Sequence, residues 1–211
     1  QKPNLIIIYH ATNDLTRFSR IAAKKEGIKF IPETGRMSWI SKYSLLFYLI
    51  EKNYLLWDTQ KIIQKDGEKL TVPVDKLSEP FRESLLDLVK ESQKNSDKVV
   101  LITFSVQIRA QQSDEEKLQS AVTSLYYMPY IKPEGLIRYF SAYNSVIREV
   151  AAETGAFLIE SEDVIPGTAE YFKDSVHFTN KGNGRMAKRV SSALVKSGIL
   201  ALFPKTSQSG H

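Results

Sequence analysis

Three short apolar runs punctuate the chain. Leu5-Ile6-Ile7-Ile8-Tyr9 is continuous, β-branched at its centre and preceded by Pro3. Val99-Val100-Leu101-Ile102-Thr103-Phe104 is a second such run, and Ala156-Phe157-Leu158-Ile159 a shorter third. None alternates apolar with polar positions, so each predicts a strand covered on both faces, as strands of parallel sheets are. Between and after these runs the apolar positions recur at spacings of three and four. Trp39, Tyr43, Leu46, Phe47 and Ile50 form one stripe. Phe81, Leu85, Leu88 and Val89 form another, and Phe140, Tyr143, Ile147, Val150 and Ala151 a third. That spacing gathers side chains on one face of a helix.

Stop and start signals fit the same reading. Gly155 is placed to end a helix before the third strand. Thr179 is placed to cap a last helix striped by Met186, Val190, Ala193 and Leu194, with Gly198 at its end. Asp114-Glu115-Glu116 reads as a solvated helix start. From Leu55 to Val74 a weak alternation surrounds Asp66-Gly67, the signal of a hairpin lying over the sheet.

Strand and helix therefore alternate, which implies an α/β fold with a parallel sheet. No repeat or linker divides it, so residues 1–204 read as one domain and the polar stretch 205–211 as a loose tail. Three strands are few for a sheet covered on both faces, and the first would be an unusually apolar edge if nothing lay beside it. The expectation is that N-terminal strands of the sheet are missing. A chain that opens at Gln1 instead of Met fits that expectation.

Composition narrows the function classes. The formal charge of +5 is carried by scattered basic residues, among them Lys24, Lys25, Lys61, Lys65, Lys181, Arg185, Lys188 and Arg189. No aromatic residues interleave with them, so a solvated surface fits better than a nucleic-acid interface. There is no cysteine, which excludes disulfides, thiolate metal sites and a cysteine nucleophile but leaves the compartment open. No run of about 18 apolar residues exists to span a membrane.

In open parallel sheets the chemistry sits at the carboxyl ends of strands. His10-Ala11-Thr12-Asn13-Asp14 follows the first strand, Ser105 the second, and Asp174-Ser175-Val176-His177 lies beyond the third, just before the last helix. Taken singly, each has a plain structural reading. Asn13 or Asp14 can cap a turn, His10 can end a strand, and Ser105 lacks the sharp strand-to-helix turn of an exposed nucleophile.

Together they are more specific. The stretch from Pro3 to Asp14 resembles the third conserved block of SGNH (GDSL-type) serine hydrolases, a strand ending in Gly-x-Asn-Asp. Asp174 to Asn183 resembles the fifth block, Asp-x-x-His followed by a small-residue helix start. The resemblance covers the whole chain as the later part of that fold, with Ala11 in place of the block's glycine. It implies a three-layer α/β/α, flavodoxin-like architecture and an ester hydrolase or acyltransferase without a cofactor. It also implies that the Gly-Asp-Ser block with the nucleophile, found nowhere here, belongs to a missing N-terminal segment that completes the fold.

The roles implied by the resemblance follow the chemistry of acyl transfer. His177 is the base that takes the serine proton and then the acid that returns it to the leaving alcohol. Asp174 holds the imidazole tautomer. Asn13 donates to the oxyanion. The substrate would be a small-molecule, lipid or carbohydrate ester. Two other readings stand beside this one. The chain can be an SGNH-like binding module that has lost catalysis, or a metal-dependent hydrolase using His10, Asp14, Asp174 and His177. Trp39, Trp57 and the Tyr126-Tyr127 pair read as core or interface residues more readily than as a substrate pocket.

Overall fold

The computed structural model describes residues 2–28, 38, 40, 43–51, 53–54, 69–70 and 72–202. Three parallel strands form its centre: β1 (Leu5–Ile8), β2 (Lys98–Ile102) and β3 (Phe157–Ile159), in the order β1-β2-β3. Ile7 pairs with Val100 and Leu101 with Leu158, so side chains in register share a face. Each strand is a residue or two shorter than its apolar run, because Tyr9, Thr103, Phe104 and Ala156 lie beyond the ladder.

Five longer helices surround the sheet among the described residues: α1 (Thr12–Lys25), α2 (Val74–Asn95), α3 (Asp114–Tyr127), α4 (Pro133–Thr154) and α5 (Asn180–Lys196). On one face Ile6, Ile8, Val99 and Leu101 pack against α2 and α4. The stripe Phe140, Tyr143, Ile147, Val150 and Ala151 of α4 is buried as expected, and Phe81 of α2 stacks on Tyr143 with centroids 4.0 Å apart. Leu88, expected in the α2 stripe, is instead 44% exposed, because Leu77, Phe81, Leu85 and Val89 follow the buried line more closely. On the other face Val100, Ile102 and Ile159 meet Met186, Val190, Ala193 and Leu194 of α5. The result is an α/β arrangement with a parallel sheet, compatible with three α/β/α layers.

The local signals behave as the chemistry requires. Gly155 caps α4 at φ 69°, a left-handed conformation that costs glycine nothing. Thr179 caps α5 by accepting from the Gly182 amide. Two helices have weak sequence signals. The inward face of α1 is Leu15, Ser19 and Ala23, interrupted by a serine, and that of α3 is Ser120, Ala121, Ser124 and Leu125, mostly small residues that give α3 little hydropathy contrast. The acidic start at Asp114 belongs to a full capping box between Ser113 and Glu116.

Residues 45–50 are helical, but their stripe is not buried: Tyr43, Leu46, Phe47 and Ile50 are all exposed. The Asp66-Gly67 hairpin, Trp39, Trp57 and the tail from Lys205 fall outside the described residues. Tyr126 and Tyr127 pack edge to face at 5.0 Å, with Tyr127 partly exposed. No helix among the described residues is long and apolar enough to cross a membrane.

Candidate active site

The segment between β3 and α5 folds back on itself before the last helix starts. Phe172 and Phe178 form an antiparallel bridge, and the Lys173 amide donates to the His177 carbonyl at 2.7 Å. Asp174 to Val176 turn between these anchors. The Asp174 carboxylate closes the turn: its Oδ1 accepts the Val176 and His177 amides, each at 3.0 Å. A short polar side chain bonding forward to its own backbone is what makes aspartate suited to this position.

The same carboxylate meets the imidazole. His177 Nδ1 lies 2.9 Å from both Oδ1 and Oδ2 of Asp174. An ionised carboxylate only accepts, so this contact favours the neutral tautomer with its proton on Nδ1 and a lone pair on Nε2. The His177 side chain is 72% exposed and Asp174 24%, so most of the imidazole faces solvent while the carboxylate is partly buried.

The turn is fastened to the carboxyl rim of the sheet. Gln107, beyond the end of β2, donates its amide to the Ser175 carbonyl at 2.9 Å, and the Ser124 amide of α3 donates to Ser175 Oγ at 3.1 Å. Phe178 stacks on Tyr9, one residue past β1, with centroids 6.4 Å apart. Tyr9 also stacks on Phe104 at 4.7 Å, and its hydroxyl accepts from the Ser105 amide at 3.1 Å. Burial raises the Tyr9 phenol above its ordinary value, with the Ser105 bonds and the Arg189 charge opposing, so it remains a neutral brace.

The stretch after β1 departs from the capping alternative. The N-cap of α1 is Ala11, which offers no side-chain cap, and Asn13 lies inside the first turn. Asn13 is exposed and its amide bonds to no side chain or backbone group among the described residues. Asp14, one residue on, pairs instead with His10, Nε2 to Oδ2 at 3.2 Å, while the His10 ring rests 6.4 Å from that of Phe81. The four groups weighed as metal ligands thus form two separate pairs, and no set of three or more His, Cys, Asp or Glu converges among the described residues.

Ser105 is 1% exposed, and its hydroxyl donates to the Glu162 carbonyl at 2.7 Å. It also accepts from Arg189 at 3.2 Å, which leaves no free nucleophile there. Arg189, read from sequence as one of the scattered surface charges, is in fact buried. Its guanidinium donates to the carbonyls of Thr103, Ile159 and Glu160 and to Thr103 Oγ1, tying α5 to the ends of β2 and β3. The signal for it was its spacing of three from Met186, on the inward side of the helix.

Asn144 is a second residue the sequence did not single out. Buried on α4, it accepts from the Phe104 amide at 2.6 Å and donates to the Phe104 carbonyl at 3.0 Å, fixing the backbone just after β2. No family model matches the chain, and no curated protein or solved structure is detectably similar to it.

Proposed function

We propose that this chain carries the histidine and aspartate of a Ser-His-Asp ester hydrolase or acyltransferase of the SGNH type, on a flavodoxin-like sheet. The observation that carries the reading is the Asp174–His177 geometry. A partly buried carboxylate holds Nδ1 at 2.9 Å and leaves the rest of the exposed imidazole on the carboxyl rim of a parallel sheet. A loop built only to cap α5 needs Thr179, which already does so, and has no use for an imidazole held this way.

The serine would come from a strand beside β1, on the edge away from β2, which no strand occupies among the described residues. Its Oγ attacks the ester carbonyl as its proton passes to His177 Nε2, and the oxyanion that forms accepts from Asn13. The tetrahedral intermediate collapses with loss of the alcohol, which takes the proton back from Nε2. Water, or an acceptor alcohol, then repeats the sequence on the acyl-enzyme and frees the serine.

The test is steady-state hydrolysis of p-nitrophenyl butyrate by the full-length protein. A fluorophosphonate should abolish it, EDTA should not, and His177→Ala should reduce kcat by about 10⁴ or more with the circular dichroism spectrum unchanged. Activity lost to EDTA and indifferent to fluorophosphonate would replace this reading with metal-dependent hydrolysis. No activity above background in any form would leave a binding module.

A further inference from the structure

Away from the Asp174/His177 turn, a cavity of about 860 Å³ opens between α1 and the residues that lead into α2. That volume lies within the range of about 300–1,000 Å³ usual for sites that enclose small organic ligands. Its described walls are largely apolar: Phe18, Ile21 and Ala22 from α1 face Leu70, Val72 and Pro73. The charges at its border are unbalanced, with Lys25, Lys69 and Lys76 against Glu26 alone. None of the three lysines forms an ion pair among the described residues.

Lys69 is the informative one. Its ammonium donates to the Pro129 carbonyl at 2.8 Å, the one acceptor it has among the described residues, and an ammonium has three protons to give. Burial, with the nearby charge of Lys132, lowers its pKa below the ordinary lysine value. A half-buried cation with one acceptor among the described residues and a second cation beside it is stabilised by an anion. The amino end of α2 at Val74, which has no side-chain cap, adds partial positive charge on the same side.

We infer that this cavity is a binding site for an anionic amphiphile, a fatty carboxylate or a close analogue, with its alkyl chain between α1 and the side chains of Leu70, Val72 and Pro73 and its carboxylate at Lys69. An uncharged lipid would fill the apolar walls but add no charge to match the excess of lysines among the described border residues. A small inorganic anion would leave the walls unused. The site is separate from the proposed catalytic pair and does not depend on it.

Isothermal titration of the full-length protein with sodium dodecanoate, and with dodecanol as the uncharged comparator, tests this. One dodecanoate should bind per chain, at least about tenfold more tightly than dodecanol. Lys69→Met should remove most of that preference and leave dodecanol binding nearly as it was, whereas Lys69→Arg should keep it. Ala22→Phe should block both ligands. Ile21→Trp, on the same wall but 43% exposed, repeats the block with less disturbance of the core. His177→Ala should change neither affinity. No dodecanoate binding by the unmutated protein, equal affinity for acid and alcohol, binding untouched by both blocking variants, or binding lost in His177→Ala would each overturn the assignment.

Discussion

Asp174 Oδ1 accepts from two backbone amides and shares the His177 ring nitrogen with Oδ2. One residue therefore shapes the turn and sets the tautomer, and an amide in its place separates the two tasks. In Asp174→Asn the side-chain oxygen can still accept from Val176 and His177, so the turn should persist. The side-chain NH₂ then faces Nδ1 and favours the tautomer with the proton on Nε2, which cannot act as base. The expected result is a fall in kcat of about 10⁴ with little change in the melting curve. Asn13→Ala should be milder, about 10²–10³, because it removes a single oxyanion donor. Pre-steady-state and steady-state kinetics on the two variants would establish the ranking, and an Asn13 variant as damaged as Asp174→Asn would argue against its assigned role.

At the scale of elements, the loop and the helix that follows it are fitted to each other through Gly182. A Cβ added there would lie 2.0 Å from the Tyr171 carbonyl oxygen and 3.0 Å from Phe178 Cβ. Gly184, two residues on, has nothing within 4 Å of the same added atom. Gly182→Ala should therefore push the 171–178 segment off α5, lowering stability by about 1–3 kcal/mol in urea titrations and disturbing the His177 position. Gly184→Ala should be neutral or stabilising by up to about 1 kcal/mol, since alanine is the better helix former. Equal effects from the two changes would refute the packing argument. This spacing was legible in advance as a small-residue helix start after Asp-x-x-His, and so were the three strands, whose apolar runs are unbroken. The helix α1 was not. Its apolar residues Leu15, Phe18 and Ala22 do recur at helical spacing, but the run Thr12-Asn13-Asp14 at its start carries the turn chemistry of a loop and its inward face is interrupted by Ser19. Arg189 and Asn144 escaped for a different reason: they are polar residues made inward by carbonyls and amides that only the assembled sheet supplies.

For the molecule as a whole, the sheet is finished unevenly. α5 covers Val100, Ile102 and Ile159, but Ile7, in register with Val100 on the same face, remains 44% exposed. The strand that carries it has β2 on one side and no strand on the other among the described residues. A short apolar edge that no described strand pairs with offers backbone donors and acceptors together with hydrophobic surface, the combination that recruits another strand. The 211-residue polypeptide prepared alone should therefore self-associate at micromolar concentration, as read by sedimentation velocity. Ile7→Lys should shift it toward monomer, because a charge on the edge penalises burial against a second copy while costing little at a site already in solvent. Leu88→Lys is the control: Leu88 is also 44% exposed, but it lies on α2, where the backbone is already paired within the helix. If apolar exposure alone drove association, the two lysines would act alike; if the open strand edge drives it, only Ile7→Lys will restore the monomer. A polypeptide that sediments as a monomer without either change would show that β1 is protected in solution and would remove the reason for placing the serine-bearing strand beside it.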